Sequence, residues 1–326
     1  MTYPMNKGAV QSSPFPLRIK GAHPTDSLRP CALSDYTTLS TGRWVARRAL
    51  ASPYAVAPWT EAPDSQAYIF APYECKPAAL PPSHLTTLKT VKHTLFLGDS
   101  VMRGAFCTQL YPALSPTGKA DGPCTFVNDA ALYHIAPKDL LIDAPHGQQR
   151  YSFRFMDDNP LARLNSAADG FETPPTHIVA NLGLWLANRT PQDYEAFVEG
   201  FLGRIYELWP EAVVVWRTTT DVAPMIQCFT DKGMTRGVVG EHRARAGEVV
   251  GRWRERGMKL WVVDAGRVSA GRVDAGNDGR HWVVESPGEL GWLPKSRPEV
   301  GVVERTVGGM VVEVFKRAEE EGVLVA

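Results

Sequence analysis

Neither sign of charge is in surplus in this chain: thirty-five Lys and Arg face thirty-five Asp and Glu. That removes the electrostatic case for nucleic acid or an anionic membrane as a general partner. The arginines between Arg236 and Arg256 are interspersed with glutamates and read as a solvated helix face. No apolar run approaches the ~20 residues that a bilayer-spanning helix needs. The N-terminal MTYPMNKGAVQSSPFPLRIKG has no apolar core of the signal-peptide kind, so the chain as it stands is expected to be soluble and untargeted. CxxC spacing is missing among the five cysteines, and no Cys/His cluster marks a zinc site, so neither metal nor cofactor is expected. The odd cysteine count fits free thiols, or two disulfides and one thiol. In a secretory setting Cys31 with Cys75 and Cys107 with Cys124 are the first pairs to test, and the sequence leaves the connectivity open.

What is present divides into three stretches. Residues 1–30, rich in Pro, Ser and Gly, read as a flexible tail. Residues 31–88 carry Cys31, Trp44, Trp59, Tyr68, Phe70, Tyr73 and Cys75 among prolines, without helical or alternating period. They read as an irregular segment packed on the domain that follows. From 89 to 326 short apolar runs alternate with helical stretches, the pattern of an α/β fold with a mostly parallel sheet. Expected strands are 94–98, 124–128, 151–155, 177–182, 213–218 and 259–265. Their continuous apolar runs suit strands covered on both faces. Expected helices run from Val101 to Tyr111, after Thr190 to the residue before Pro210, from Thr235 to Arg256, and from Val302 to Glu321. Thr190, Pro191 and Asp193 form an N-terminal capping signal, with Tyr194, Phe197, Val198, Phe201, Ile205 and Leu208 following at helical spacing.

Polar clusters fall where predicted strands end, the edge at which α/β proteins place their sites. They are Gly98-Asp99-Ser100, Asn181-Leu182-Gly183, Arg217-Thr218-Thr219-Thr220, and the loop after 265 that holds Asp278 and His281. Each has a plain reading: Gly98 turns the chain, Asp99 or Ser100 caps a helix, Asn181 serves a turn, Arg103 makes a surface ion pair. Together they have another. Ser100 is a nucleophile, His281 its base and Asp278 the acid that orients the base. The Ser100 backbone N–H and the Asn181 amide are candidate oxyanion donors. The other histidines (23, 84, 93, 134, 146, 177 and 242) show no partner pattern and read as structural or exposed. The G-x-S-x-G elbow of the α/β-hydrolases is absent, because Val101-Met102 follows Ser100.

GDSVMRG, ANLGLWL, VVWRTTT and DGRHW, in that order, resemble the GDSL/SGNH superfamily. More closely they are similar to the PC-esterase and trichome-birefringence-like proteins with their fungal and animal relatives. Cys31, Gly42-Arg43-Trp44-Val45 and Cys75 match the cysteine- and tryptophan-bearing segment that precedes the GDS motif there. The resemblance covers roughly residues 31 to 290. It implies a three-layer α/β/α sandwich, a Ser100-His281-Asp278 triad, and oxyanion or substrate-binding parts for Asn181, Gly183, Arg103 and Arg217. It also implies O-acetyl transfer to, or ester cleavage from, a glycan through an acyl-enzyme, with an acyl donor as second partner. The compartment it implies is the Golgi lumen or the cell exterior. Val283 stands where those proteins have a cysteine, and Leu184 where they have a histidine; Asn128 is a weak match to their second block. Two other functions are open at this point: a catalytically silent glycan-binding protein of this fold, and a small-ester or lipid hydrolase of the wider superfamily.

Overall fold

The computed structural model describes residues 29–39, 42–46, 68–71, 75, 77–78, 80–116, 124, 136–222, 233–270, 283–284, 299–300 and 302–323. The strands are β1 (Arg43–Ala46), β2 (Tyr68–Ala71), β3 (His93–Gly98), β4 (Lys138–Ala144), β5 (Gly147–Phe155), β6 (His177–Ala180), β7 (Val213–Arg217), β8 (Leu260–Val263), β9 (Val283–Val284) and β10 (Glu299–Val300). The helices are α1 (Ser100–Ala105), α2 (Tyr111–Leu114), α3 (Pro160–Ala168), α4 (Pro191–Leu208), α5 (Arg236–Glu255), α6 (Ala265–Ala270) and α7 (Val302–Glu320). A π-helical turn, Phe106–Leu110, joins α1 to α2.

Six strands form the central sheet in the order β4-β5-β3-β6-β7-β8. All neighbours are parallel except β4, which runs antiparallel to β5 at one edge. Period-two alternation sends Leu95, Leu97, Ile178, Ala180, Val214, Trp216, Leu260 and Val262 to one face, where they pack with α4 and α5. Phe96, Val179, Val213, Val215, Trp261 and Val263 point to the other, against α1, α2 and α7. Both faces are covered, which is why β3, β6, β7 and β8 read as unbroken apolar runs. The architecture is the three-layer sandwich that the resemblance implies.

The caps behave as their residues dictate. Thr190 Oγ1 accepts the Asp193 N–H at 3.1 Å and donates its own proton to the Asp193 carboxylate at 2.7 Å. Thr235 caps α5 through the Val238 N–H. Strand β4 was not expected. Leu140 and Ile142 face inward but Leu141 is exposed, and the Leu-Leu-Ile run hides the alternation. Gly147, at φ 107°, closes its hairpin to β5 in a conformation that side chains disfavour. Of the expected strand 124–128, only Cys124 lies within the described residues.

The described parts of 31–88 lie across α7. Glu313 accepts the Tyr36 hydroxyl (2.9 Å) and the Ala78 N–H (2.7 Å). Glu319 accepts both the N–H and the hydroxyl of Thr90, and Glu321 accepts the Leu33 N–H. Cys31, Leu33, Tyr36, Phe70 and Cys75 are buried in the same core cluster as the inner face of α7. Arg267 of α6 donates to the Gly42 carbonyl at 2.9 Å. Two disulfides are formed, Cys31–Cys75 and Cys107–Cys124, the pairs singled out from the sequence. Cys228 lies outside the described residues, as does the tail up to residue 28.

Candidate active site

The centre of the site is the carboxyl end of β3. Gly98 is required there by a close approach: a Cβ on it would meet the Met102 Cβ at 2.6 Å. Asp99 is the N-cap of α1, its Oδ1 accepting the Val101 N–H at 2.9 Å. Its Oδ2 accepts the Leu184 N–H at 3.1 Å, from the loop after β6. One carboxylate thus fixes the helix that begins at Ser100 and holds the neighbouring loop against it. Ser100 is half-buried, while Asp99 is 2% exposed.

The loop after β6 is equally determined. Asn181 N–H continues the ladder to Leu97 O at 2.8 Å. The Asn181 side-chain amide donates to Arg217 O at 2.9 Å, which uses one of its two N–H groups. A Cβ at Gly183 would lie 2.6 Å from Asp99 Oδ2 and 3.0 Å from Asn181 Oδ1. Only glycine lets this loop sit so near the aspartate. The structure therefore brings Gly98, Asp99, Ser100, Asn181 and Gly183 together at one strand edge.

The two arginines are placed differently. Arg103, 6% exposed, lies one turn after Ser100 with its guanidinium 5.9 Å from the centre of the Phe155 ring. Lys138 is buried nearby, and burial together with the Arg103 charge pushes its ammonium down to about 8. Arg217 points to the α7 face of the sheet, in step with Val213 and Val215. Its guanidinium pairs with Glu304 at 2.7 Å, both side chains 2% exposed. That ion pair lies inside the core, where Arg217 cannot reach a ligand bound at the surface.

Beyond β7, Thr218 Oγ1 donates to Asp264 Oδ1 (2.8 Å) and accepts the Gly266 N–H (2.9 Å). Asp264 also accepts the Arg267 N–H at 3.0 Å. The start of α6 is thereby pinned to the end of β7. Its far end is held where Arg236 donates to Ala270 O and pairs with Asp221. Asp278 and His281 lie outside the described residues, as does Asn128.

A serine, a histidine and an aspartate do meet among the described residues, at the amino end of β3. His93 Nε2 is 3.0 Å from Ser152 Oγ, and Ser152 donates to Asp139 at 2.5 Å. The serine is the middle member and fully buried, whereas a nucleophile relay needs the histidine between the other two. His93 Nδ1 meets Thr173 O at 2.9 Å, so this cluster ties strand starts together. The sequence showed no partner for His93, because Ser152 and Asp139 reach it only through strand pairing. His242 stacks on Tyr194, centroids 4.2 Å apart, and donates to Arg189 O. His177 is fully buried against Phe315, which pushes its imidazole down to about 3.

One group of metal-ligating atoms gathers among the described residues, those of Cys31, Cys75 and Asp35. Both sulfurs are joined to each other, and Asp35 is held by Arg29 and the Ala32 N–H. No helix among the described residues is long and apolar enough to cross a membrane. Trp185, the tryptophan of ANLGLWL to which the motif by itself assigns no role, is 50% exposed beside this edge.

No protein-family model and no curated protein matches the sequence. Among solved structures, the chain is similar to the salicylyl-acyltransferase SsfX3 from a tetracycline biosynthetic pathway. The identity is 16% over 68% of this chain and 53% of that one, about half its length, with a TM-score of 0.37. It is also similar to a lipase/acylhydrolase from Enterococcus faecalis, at 16% identity over 71% and 97% of the two chains and a TM-score of 0.39. A DUF4886 family protein from Bacteroides uniformis gives 13%, 59% and 76%, with a TM-score of 0.35. Likenesses this distant leave the chemistry to the chain's own residues.

Proposed function

We propose that the protein is a serine-dependent acyltransferase or esterase acting on O-acyl groups, chiefly acetyl, of a glycan. The observation that carries the reading is the placement of Ser100: half-buried, at the carboxyl end of a central strand, on a helix start fixed by Asp99, with the Asn181 amide and Gly183 at the same edge. The Ser100 oxygen attacks the acyl carbon while its proton passes to Nε2 of His281. Asp278 bonds the other ring nitrogen and stabilises the cation. The oxyanion is met by the Ser100 backbone N–H and the second amide N–H of Asn181. The tetrahedral species collapses, the C–O bond to the leaving alcohol breaks, and that alcohol takes the proton from His281. A sugar hydroxyl, or water, then attacks the acyl-enzyme by the same route in reverse. Arg217 is a framework residue in this scheme. The glycan and the chemistry of residues 278 and 281 come from the motif resemblance. Two disulfides fit an oxidising compartment, the secretory pathway or the cell exterior.

A double-mutant cycle on hydrolysis of an aryl acetate tests the assignment. Ser100→Ala and His281→Ala should each remove nearly all activity, and the double variant should lose little more than either, because the two act as one unit. A fluorophosphonate should label the parent at Ser100. Additive losses, or undiminished labelling of Ser100→Ala, would remove the triad.

A further inference from the structure

We propose that the indole of Trp185 is the platform on which a pyranose ring of the substrate stacks beside Ser100, so that this residue selects glycan esters over simple ones. The inference rests on the reading of Ser100 as an acyl-transferring nucleophile and adds the residue that holds the sugar.

Among the described residues only two large apolar side chains are strongly exposed, Leu141 and Trp185, each 50%. Leu141 sits on edge strand β4, where Lys138, Asp139 and Asp143 neighbour it in sequence. Trp185 is different, because its position is fixed from two sides at the site. Its backbone is anchored one residue earlier, where the Leu184 N–H donates to Asp99, the residue before Ser100. Its ring stands edge-to-face on Phe155, centroids 5.9 Å apart and planes at 84°. Phe155 is the register partner of Gly98, the residue before Asp99. The indole is therefore braced against the strand pair whose end carries Ser100, with half of its surface open to solvent.

A braced, half-open indole loses little side-chain freedom when a ligand covers it. Aromatic rings bury much area and present an electron-rich face. The matching ligand is flat on one side with C–H groups that point at that face, and polar around its rim. A pyranose ring has this form. Among the described residues, the half-buried Ser100 hydroxyl lies at this edge above the buried Asn181 amide, a polar setting that suits a hydroxyl-bearing ligand. The chain's balanced charge adds no preference for an ionised one.

Calorimetric titration of the full chain with xylohexaose, mannohexaose, cellohexaose and chitohexaose tests this. At least one should bind the parent. Trp185→Ala should weaken that binding about tenfold or more, the loss expected when an aromatic contact of this size is removed. Trp185→Phe, which keeps a ring, should recover most of it. Thermal melting of Trp185→Ala checks that the fold is retained. No binding by any of the four sugars, or equal binding by Trp185→Ala, would overturn the inference. Fluorophosphonate labelling of Ser100 in the same preparations separates the two claims. Labelling without Trp185-dependent sugar binding would sink the platform and leave the acyl chemistry. Sugar binding without labelling would sink the acyl chemistry and leave the platform.

Discussion

Asp99 carries two jobs at once, capping α1 through Val101 and fixing the Asn181–Gly183 loop through Leu184. Gly183 makes the second job feasible. A methyl group there would stand 2.6 Å from the carboxylate oxygen, closer than real Cβ contacts come. Either the loop or Asp99 must then move, and with it the amide of Asn181. Gly183→Ala is expected to leave the protein folded, because the clash is at a loop and not within the sheet. Its rate of fluorophosphonate labelling at Ser100 should fall by roughly tenfold to a hundredfold, since small misplacements of reacting groups are costly. Labelling at the parental rate would show that the loop geometry is not used. Arg217 illustrates the opposite fate for a polar residue at a strand end. Its charge is matched by Glu304 in the core, a pairing that holds α7 to the sheet.

At the scale of elements, α7 is the anchor for the N-terminal segment. Two acids receive donors from that segment, Glu313 within the helix and Glu321 just past its end, and Thr90, just after the segment, donates to Glu319. Burial raises the Glu313 carboxyl, against the bonds from Ala78 and Tyr36 that lower it. The Cys31–Cys75 bridge closes a 44-residue separation around these contacts. In the chain-entropy account a loop of that size contributes about 4 kcal/mol by restricting the unfolded state. Cys31→Ser should therefore lower the unfolding free energy from urea titration by an amount approaching that figure, and the urea midpoint with it. The reductant dithiothreitol should lower the parent's midpoint in the same direction. A midpoint unchanged in Cys31→Ser would mean that the strap is held by its packing alone. A truncation starting near Lys89 removes the donors to Glu313 and the apolar cover of α7, and should aggregate.

For the whole molecule, stability is tied to pH through buried histidines. Burial lowers His93, His177 and His242, so each takes up its proton at a lower pH in the fold than in the unfolded chain, where the value is near 6.5. The unfolded state then binds more protons as the pH falls below 6.5, and stability drops. The stabilisation is whole above that value and is lost progressively toward about pH 3 for His177. One such group contributes a slope approaching about 1.4 kcal/mol per pH unit. Glu313 works in the other direction, because a raised carboxyl takes up its proton first in the fold. The paired acids Asp35, Asp157 and Glu199 are lowered by their arginines, so their contribution goes only below about pH 4. Urea titrations between pH 7 and 5 should show a steady fall, and His177→Gln should flatten it by about one proton. An unaltered slope in that variant would mean that the ring is hydrated or charged in the fold.

Features that depend on near neighbours in the chain can be read without the fold. Strands β3, β6, β7 and β8 are legible because both of their faces are covered and their central residues are apolar. Helix α4 is legible from 3.6-residue spacing and from Thr190 as cap, and α5 and α7 lie where helices are expected over 235–256 and 302–321. Gly98-Asp99-Ser100 marks a strand end for the same local reason, and it is where the site was sought. Other features depend on residues far apart in the chain. Arg217 goes to the core because Glu304, 87 positions on, is there to neutralise it. His93 gains Ser152, 59 residues away, and Ser152 gains Asp139, only when β4, β5 and β3 pair side by side. Gly183 owes its necessity to Asp99, 84 positions before it, and Trp185 its open face to the lean against Phe155. Composition and period specify which face of an element is apolar. Which distant side chain fills or leaves open the space beside it is set by packing.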